Sequence, residues 1–219
     1  MERSIMDNTG PGRVAEPAKV RKILGYTPEV REVWQAEDEV NRMSSRLLDA
    51  MGISGTPSDL PAAAGPCDAV DPDFTTYYTV DHPWALWEAD ADDFDTAMEN
   101  LRSRLPGLGW RITKDGPQHS MFRNPEIKAV HISSGHHVAI RALKKRSGDL
   151  KPQISVTLVS PCYKAPEGSD PSAPDSSHHA MTGAMTLPID NHDEACRGAR
   201  PRAVGATTSA GVKVSSNRS

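Results

Sequence analysis

The sequence predicts an α+β fold of two layers, an antiparallel sheet of four to five strands with two helices packed on one face. Three observations predict it. Two segments carry apolar residues at helical spacing, each fenced by Pro or Gly. Several short segments between 75 and 160 alternate apolar and polar residues. The last of these follow one another with short links, and strands so joined pair antiparallel. One domain is therefore expected over 27–163. It comprises a helix over about 28–51, a linker over 52–73 and a strand-helix-strand-strand-strand core over 74–163. Residues 1–26 and 164–219 are rich in Pro, Gly, Ser and charge without a sustained period, and both are expected to be disordered.

The first helix has a start and a stop. Thr27 is placed to cap it, Pro28 fits the first helical position, and Glu29 suits the positive helix end. Val30, Val33, Trp34, Val40, Met43, Leu47, Leu48 and Met51 make its stripe, Asp38 and Arg42 are spaced to pair, and Gly52 ends it. In the first strand Tyr78, Val80, Trp84 and Leu86 share one parity, and Pro83 implies an edge or a bulge. The second helix takes Asp90 or Asp92 as cap, buries Phe94, Ala97, Met98, Leu101 and Leu105, and stops at Pro106, Gly107 and Gly109. Acidic Asp92, Asp93 and Asp95 open it, and Arg102 and Arg104 close it, as the helix dipole favours.

Trp110 and Ile112 then point inward from a short strand, and Asp115-Gly116-Pro117 is expected to turn the chain. A strand near 127–133 puts Val130 and Ile132 on one face, and Ser134-Gly135-His136 links it to the next, where Val138 and Ile140 alternate. A basic loop follows over 144–151. Ile154, Val156 and Leu158 face inward in the last strand.

Composition narrows the function. Of 219 residues 37% are hydrophobic, below the roughly 45–50% of globular domains, so part of the chain buries little. The net charge of −4 supplies no field towards nucleic acid or anionic lipid. No run of about 18 apolar residues is present, so no membrane-spanning segment is expected. The first residues lack the apolar core of a secretory signal, which as written implies the cytoplasm, or the cell envelope if a leader is missing.

Cys67 precedes the first strand and Cys162 follows the last. If those strands are neighbours, the two sulfurs can meet, and a bridge there makes sense only in an oxidising compartment. Two unrelated thiols in a reducing cytoplasm are the alternative. Cys196 lies in the expected tail and finds no environment there to depress its pKa.

The order of landmarks is similar to that of small exported lipoproteins of high-GC actinobacteria. The likeness covers about residues 29–165. It is carried by Leu47-Leu48-Asp49-Ala50-Met51-Gly52, Pro66-Cys67, Tyr77-Tyr78, Leu101-Arg102-Ser103-Arg104-Leu105, Gly109-Trp110-Arg111 and Val159-Ser160-Pro161-Cys162. The resemblance implies an envelope location and a structural disulfide rather than an activity. The chain departs from it in lacking a lipid-attachment cysteine near its start, and in its long tail.

Among chemical constellations, His131, His136 and His137 form the densest histidine group, with His119 or Glu126 as further ligands for a metal. His131 and His137 would lie across a hairpin in one register, whereas adjacent His136 and His137 should face apart. His178-His179 offers at most an adventitious metal site. Asp90, Asp92, Asp93 and Asp95 lack the Gly and Glu positions of a calcium loop, and helix capping accounts for them. Arg141, Lys144, Lys145, Arg146 and Lys151 are candidates for phosphate contact, yet no nucleic-acid-binding motif accompanies them, so nucleic acid is not an expected partner. Ser120, Ser133 and Ser134 lack a nucleophile-elbow context, and no Gly-rich phosphate cradle appears. The sequence thus points to a non-enzymatic interaction or ligand-binding domain without cofactor, its partner a protein or a small molecule. A cytoplasmic nucleic-acid-associated or regulatory role through the basic loop, and a histidine-centred metalloenzyme, are the alternatives.

Overall fold

The structure is a computed structural model and describes residues 14–173 apart from 91 and 149. Those residues form three α-helices and one antiparallel sheet of eight strands. Four to five strands is therefore an undercount. The long strands are β3 (Tyr77–Trp87), β4 (Trp110–Pro117), β5 (Pro125–His131), β6 (His137–Leu143) and β7 (Gln153–Val159). The extra ones are β1 (Thr56–Pro57), β2 (Ala63–Pro66) and β8 (Tyr163–Lys164), which are too short to show any alternation. All three lie along β3. The order across the sheet is β1-β3-β7-β6-β5-β4. Strands β4 to β7 thus make a meander, and β3 closes beside β7.

Pro83 sits where this layout tolerates it. The N–H of Ala85 points away from β7, towards Ser58 Oγ at 3.0 Å, and alternation aims the Pro83 nitrogen the same way. On that side β2 reaches only to Asp81 and β1 begins at Leu86, so Pro83 faces a gap between them.

Helix α2 spans Val33–Met51, not about 28–51. Thr27 and Pro28 do not start it, because residues 29–31 are drawn into extended pairing with β8. Lys164 N–H donates to Glu29 O, and Arg31 N–H to Lys164 O. A tertiary contact overrides a local cap signal here. Arg42 bonds the backbone oxygen of Asp38 rather than its carboxylate. Helix α3 spans Asp93–Arg104, and its stripe Phe94, Ala97, Met98 and Leu101 is buried as expected, with Leu105 just beyond. Its last turn is tied to the sheet by Arg102, which donates to both carboxylate oxygens of Asp115 at 2.7 and 3.1 Å.

One buried cluster joins Val40, Met43, Leu47 and Met51 of α2 and the α3 stripe to Tyr78, Val80, Trp84 and Leu86 of β3, Val138 and Ile140 of β6, and Ile154, Val156 and Leu158 of β7. In β5 it is not the pair Val130 and Ile132 that faces this core. Pairing of Ala129 with Val138 and of Ile127 with Ile140 puts Ile127 and Ala129 inside, and leaves Ile132 70% exposed. Asp115-Gly116-Pro117 does not turn the chain either. It continues β4 against Ile127, Glu126 and Pro125, after a register shift between Ile112 and Lys114.

The linker 52–73 is partly structured by β1 and β2, and the stretch 1–26, expected to be disordered, contains helix α1 (Pro17–Leu24). Eight residues are too few for a helix to persist alone. Val20 anchors it in a second cluster with Cys67, Val70, Tyr77 and Cys162. Of the expected tail, residues to 173 are described; the remainder, with Cys196, His178 and His179, lies outside the described residues.

Cys67 and Cys162 are bonded, with Cα atoms 5.8 Å apart. Pro66 and Tyr163 both pair with Tyr78, so the two cysteines flank the start of β3. Tyr26 Oη accepts the N–H of Cys162 at 2.8 Å. Beside the bridge, the buried carboxylate of Asp71 accepts backbone N–H groups from Thr75, Thr76 and Tyr77 at 3.0, 2.6 and 2.8 Å. Charge-assisted bonds of this kind are roughly twice as strong as neutral ones. Asp71→Asn is expected to lower unfolding free energy by about 2 kcal/mol, read from urea denaturation. An unchanged midpoint would show that the amide serves these donors equally well.

Candidate functional site

Where α2 passes the open end of the β4–β5 pair, a cleft of about 180 Å³ is lined by Glu39, Arg42, Met43, Arg46, Leu108, Trp110 and His131. The sequence dictates its walls. Residues 39, 42, 43 and 46 follow helical spacing and so share one flank of α2. Pro106–Leu108 forms a single 3-10 turn, and Gly109 with φ +85° redirects the chain so that Trp110 begins β4. His131 ends β5 directly opposite Trp110. The rings meet edge to face, with centroids 5.1 Å apart. Gly109 also makes room: a Cβ there would lie 3.0 Å from His131 Nε2.

His131 is held from behind. Ser134 Oγ lies 2.6 Å from His131 Nδ1 and 2.8 Å from His136 Nδ1. The hydroxyl has one proton, so it donates to one imidazole and accepts from the other, which couples the two tautomers. His136 is fully buried, and its Nε2 has no hydrogen-bond partner among the described residues. Burial above all pushes its pKa down to about 4; nearby Glu39 pulls the other way, and His131 and Arg31 add to the lowering.

Glu39, the carboxylate of the cleft, is already neutralised by Arg31 Nη1. Arg31 also reaches Glu29 at 3.2 Å and lies over the Tyr163 ring at 4.9 Å. Burial opposes its charge, but the bond to Glu39 and the surrounding negative groups outweigh that and raise its pKa. Burial pushes the Tyr163 hydroxyl up to about 12, with Arg31 opposing. Among the described residues Arg42 commits only Nε, to Asp38 O at 3.2 Å. Arg46 has no hydrogen bond or ion pair among the described residues. The cleft therefore presents two guanidinium groups that no acidic side chain among the described residues pairs with, beside Trp110.

The residues singled out from sequence fall in different places. His131 and His136 come together through Ser134, but His137 does not lie across from His131. It pairs with Val130 and Val159 and is exposed. Among the described residues no group of three His, Cys, Asp or Glu side chains is placed to hold a metal ion. Glu126 is on the opposite sheet face, bound by Lys114 and by Arg141 at 2.9 Å, with Lys128 at 4.0 Å. Desolvation raises its pKa, but the bonds from Lys114 and Arg141 win and hold it below the ordinary carboxylate value. The basic loop does not gather its cations. Arg141 serves Glu126, Lys144 serves Asp95 of α3 at 2.6 Å, and Arg146 donates to Lys151 O and Gln153 Oε1.

Sequence reading missed the cleft. Its one legible signal was Arg42 and Arg46, like charges one turn apart on a helix, an arrangement that is unfavourable without an anion. Leu108, Trp110 and His131 are brought there by pairing register, which the local sequence does not carry.

Fold and site together define a disulfide-linked α+β domain with a small cationic cleft. No protein-family model, curated protein or solved structure matches the chain.

Proposed function

We propose that the chain is a non-catalytic ligand-binding domain of the cell-envelope type, working in an oxidising compartment and taking its ligand in the cleft between α2 and the β4–β5 end. The observation that carries this reading is the Cys67–Cys162 bond. It fastens α1, the 67–71 turn and β8 around the start of β3, which is the role of a structural disulfide, and such bonds persist in exported proteins. The resemblance to small exported lipoproteins supports it. No helix among the described residues is long and apolar enough to cross a membrane. Retention at the envelope would therefore rest on an anchor or a partner outside these helices.

Fractionation of the source cells, with alkylation of free thiols before lysis, tests the proposal. The expected result is chain in the extracytoplasmic fraction with Cys67 and Cys162 protected from alkylation until reductant is added. Chain confined to the cytosol with both thiols alkylated would end it.

A further inference from the structure

We infer that the cleft binds a small organic carboxylate: one carboxylate group on a compact apolar body about the size of a single ring. The inference rests on the ligand-binding reading above and names the class of ligand.

Charge comes first. The cleft contains one acidic side chain, Glu39, and Arg31 already satisfies it. Among the described residues Arg42 uses only Nε, for Asp38 O, and Arg46 has no hydrogen bond or ion pair. Arg42 and Arg46 stand one turn apart on α2, so their repulsion is relieved by an anion seated between them. A guanidinium fork matches the two oxygens of a carboxylate. The remaining oxygens of a phosphate would lie against the apolar side chains of Leu108, Met43 and Trp110, so a carboxylate on an apolar body fits better.

Size and shape come next. A cavity of about 150 Å³ is known to hold a benzene molecule, and this one is about 180 Å³. Trp110, Leu108 and Met43 supply the apolar part of its lining. The His131 imidazole, fixed by Ser134 and by its contact with Trp110, adds one polar group at the rim. A few polar groups set against an apolar wall are the pattern of small-molecule sites.

The test is titration of the full chain with benzoate, followed by NMR of the Trp110 indole N–H and the arginine Nε–H groups. Acetate and inorganic phosphate serve as comparison probes. Saturable shifts are expected with benzoate at about millimolar concentration, weaker binding with acetate, and weaker still with phosphate. Arg42→Gln and Arg46→Gln are exposed substitutions, and each is expected to weaken benzoate by about tenfold while the melting temperature stays put. Absence of saturation with benzoate up to about 50 mM overturns the site. Equal binding by the wild type and both variants overturns it too, because the shifts then come from elsewhere. Phosphate binding more tightly than benzoate overturns the carboxylate class. The two proposals fail separately: benzoate bound by a cytosolic chain removes the location and keeps the site, whereas an exported chain that binds no anion removes the site alone.

Discussion

Breaking the Cys67–Cys162 bond is expected to cost about 4–5 kcal/mol of folding stability, the largest single effect in the molecule. The two half-cystines are separated by 95 residues. A closed loop of that length removes a large share of the unfolded chain's freedom, and the gain grows with the logarithm of loop size. The native side adds to it, because α1 has little else to hold it than the cluster of Val20, Val70, Tyr77 and the bridge itself. Urea denaturation with and without reductant, repeated on the Cys67→Ser/Cys162→Ser double variant, measures the effect. The melting temperature should fall by about 10–20 °C for a domain of this size. A loss under about 1 kcal/mol would mean that the unfolded chain is already compact around these sulfurs.

Acid is expected to destabilise the protein well before its carboxylates titrate, and His136 is the cause. Its folded pKa, about 4, lies below the 6.5 of an ordinary histidine. Between those values the unfolded chain binds a proton and the native chain does not. Unfolding therefore takes up protons, and stability falls as pH falls. The contribution is fully present above about pH 6.5, declines through the window from 6.5 towards 4, and amounts to on the order of 3 kcal/mol. His82 acts in the same sense: burial lowers its pKa, between Ser44 Oγ and Leu60 O, each at 2.7 Å. Glu126 is a separate matter, since its lowered pKa places its loss at the acid end. Denaturation at a series of pH values, on the wild type and on His136→Asn, isolates the effect. The variant should lose most of the slope between pH 6.5 and 4.5, whatever its stability at neutral pH. An unaltered slope would assign the acid response to other groups.

What could be read from the sequence follows the range of the forces involved. The α3 stripe and the inward residues of β3, β6 and β7 were legible because burial on one face imposes a period on the chain itself. The bridge was legible because Cys67 and Cys162 bracket strands that turn out to be neighbours. The start of α2 was misread because Glu29 and Arg31 are claimed by Lys164, more than a hundred residues away. The inward residues of β5 were not legible, because partner strands set them and not the apolar pair Val130 and Ile132. The cleft was illegible for the same reason: Trp110 and His131 become neighbours only through the β4–β5 register. Arg42 and Arg46 gave no more than a hint, since exposed arginines on a helix are normally just solvated.

The margins of the sheet have a consequence for behaviour at high concentration. An uninterrupted row of free backbone donors and acceptors invites another chain to add on, and repetition of that step produces fibres. One margin here is tiled by fragments of two and four residues, with a proline in the gap between them. The other carries Arg111 and Lys114 around a register break. Strand-by-strand polymerisation thus finds no straight seam on either side, and the folded protein resists it without needing a partner to cover its flanks.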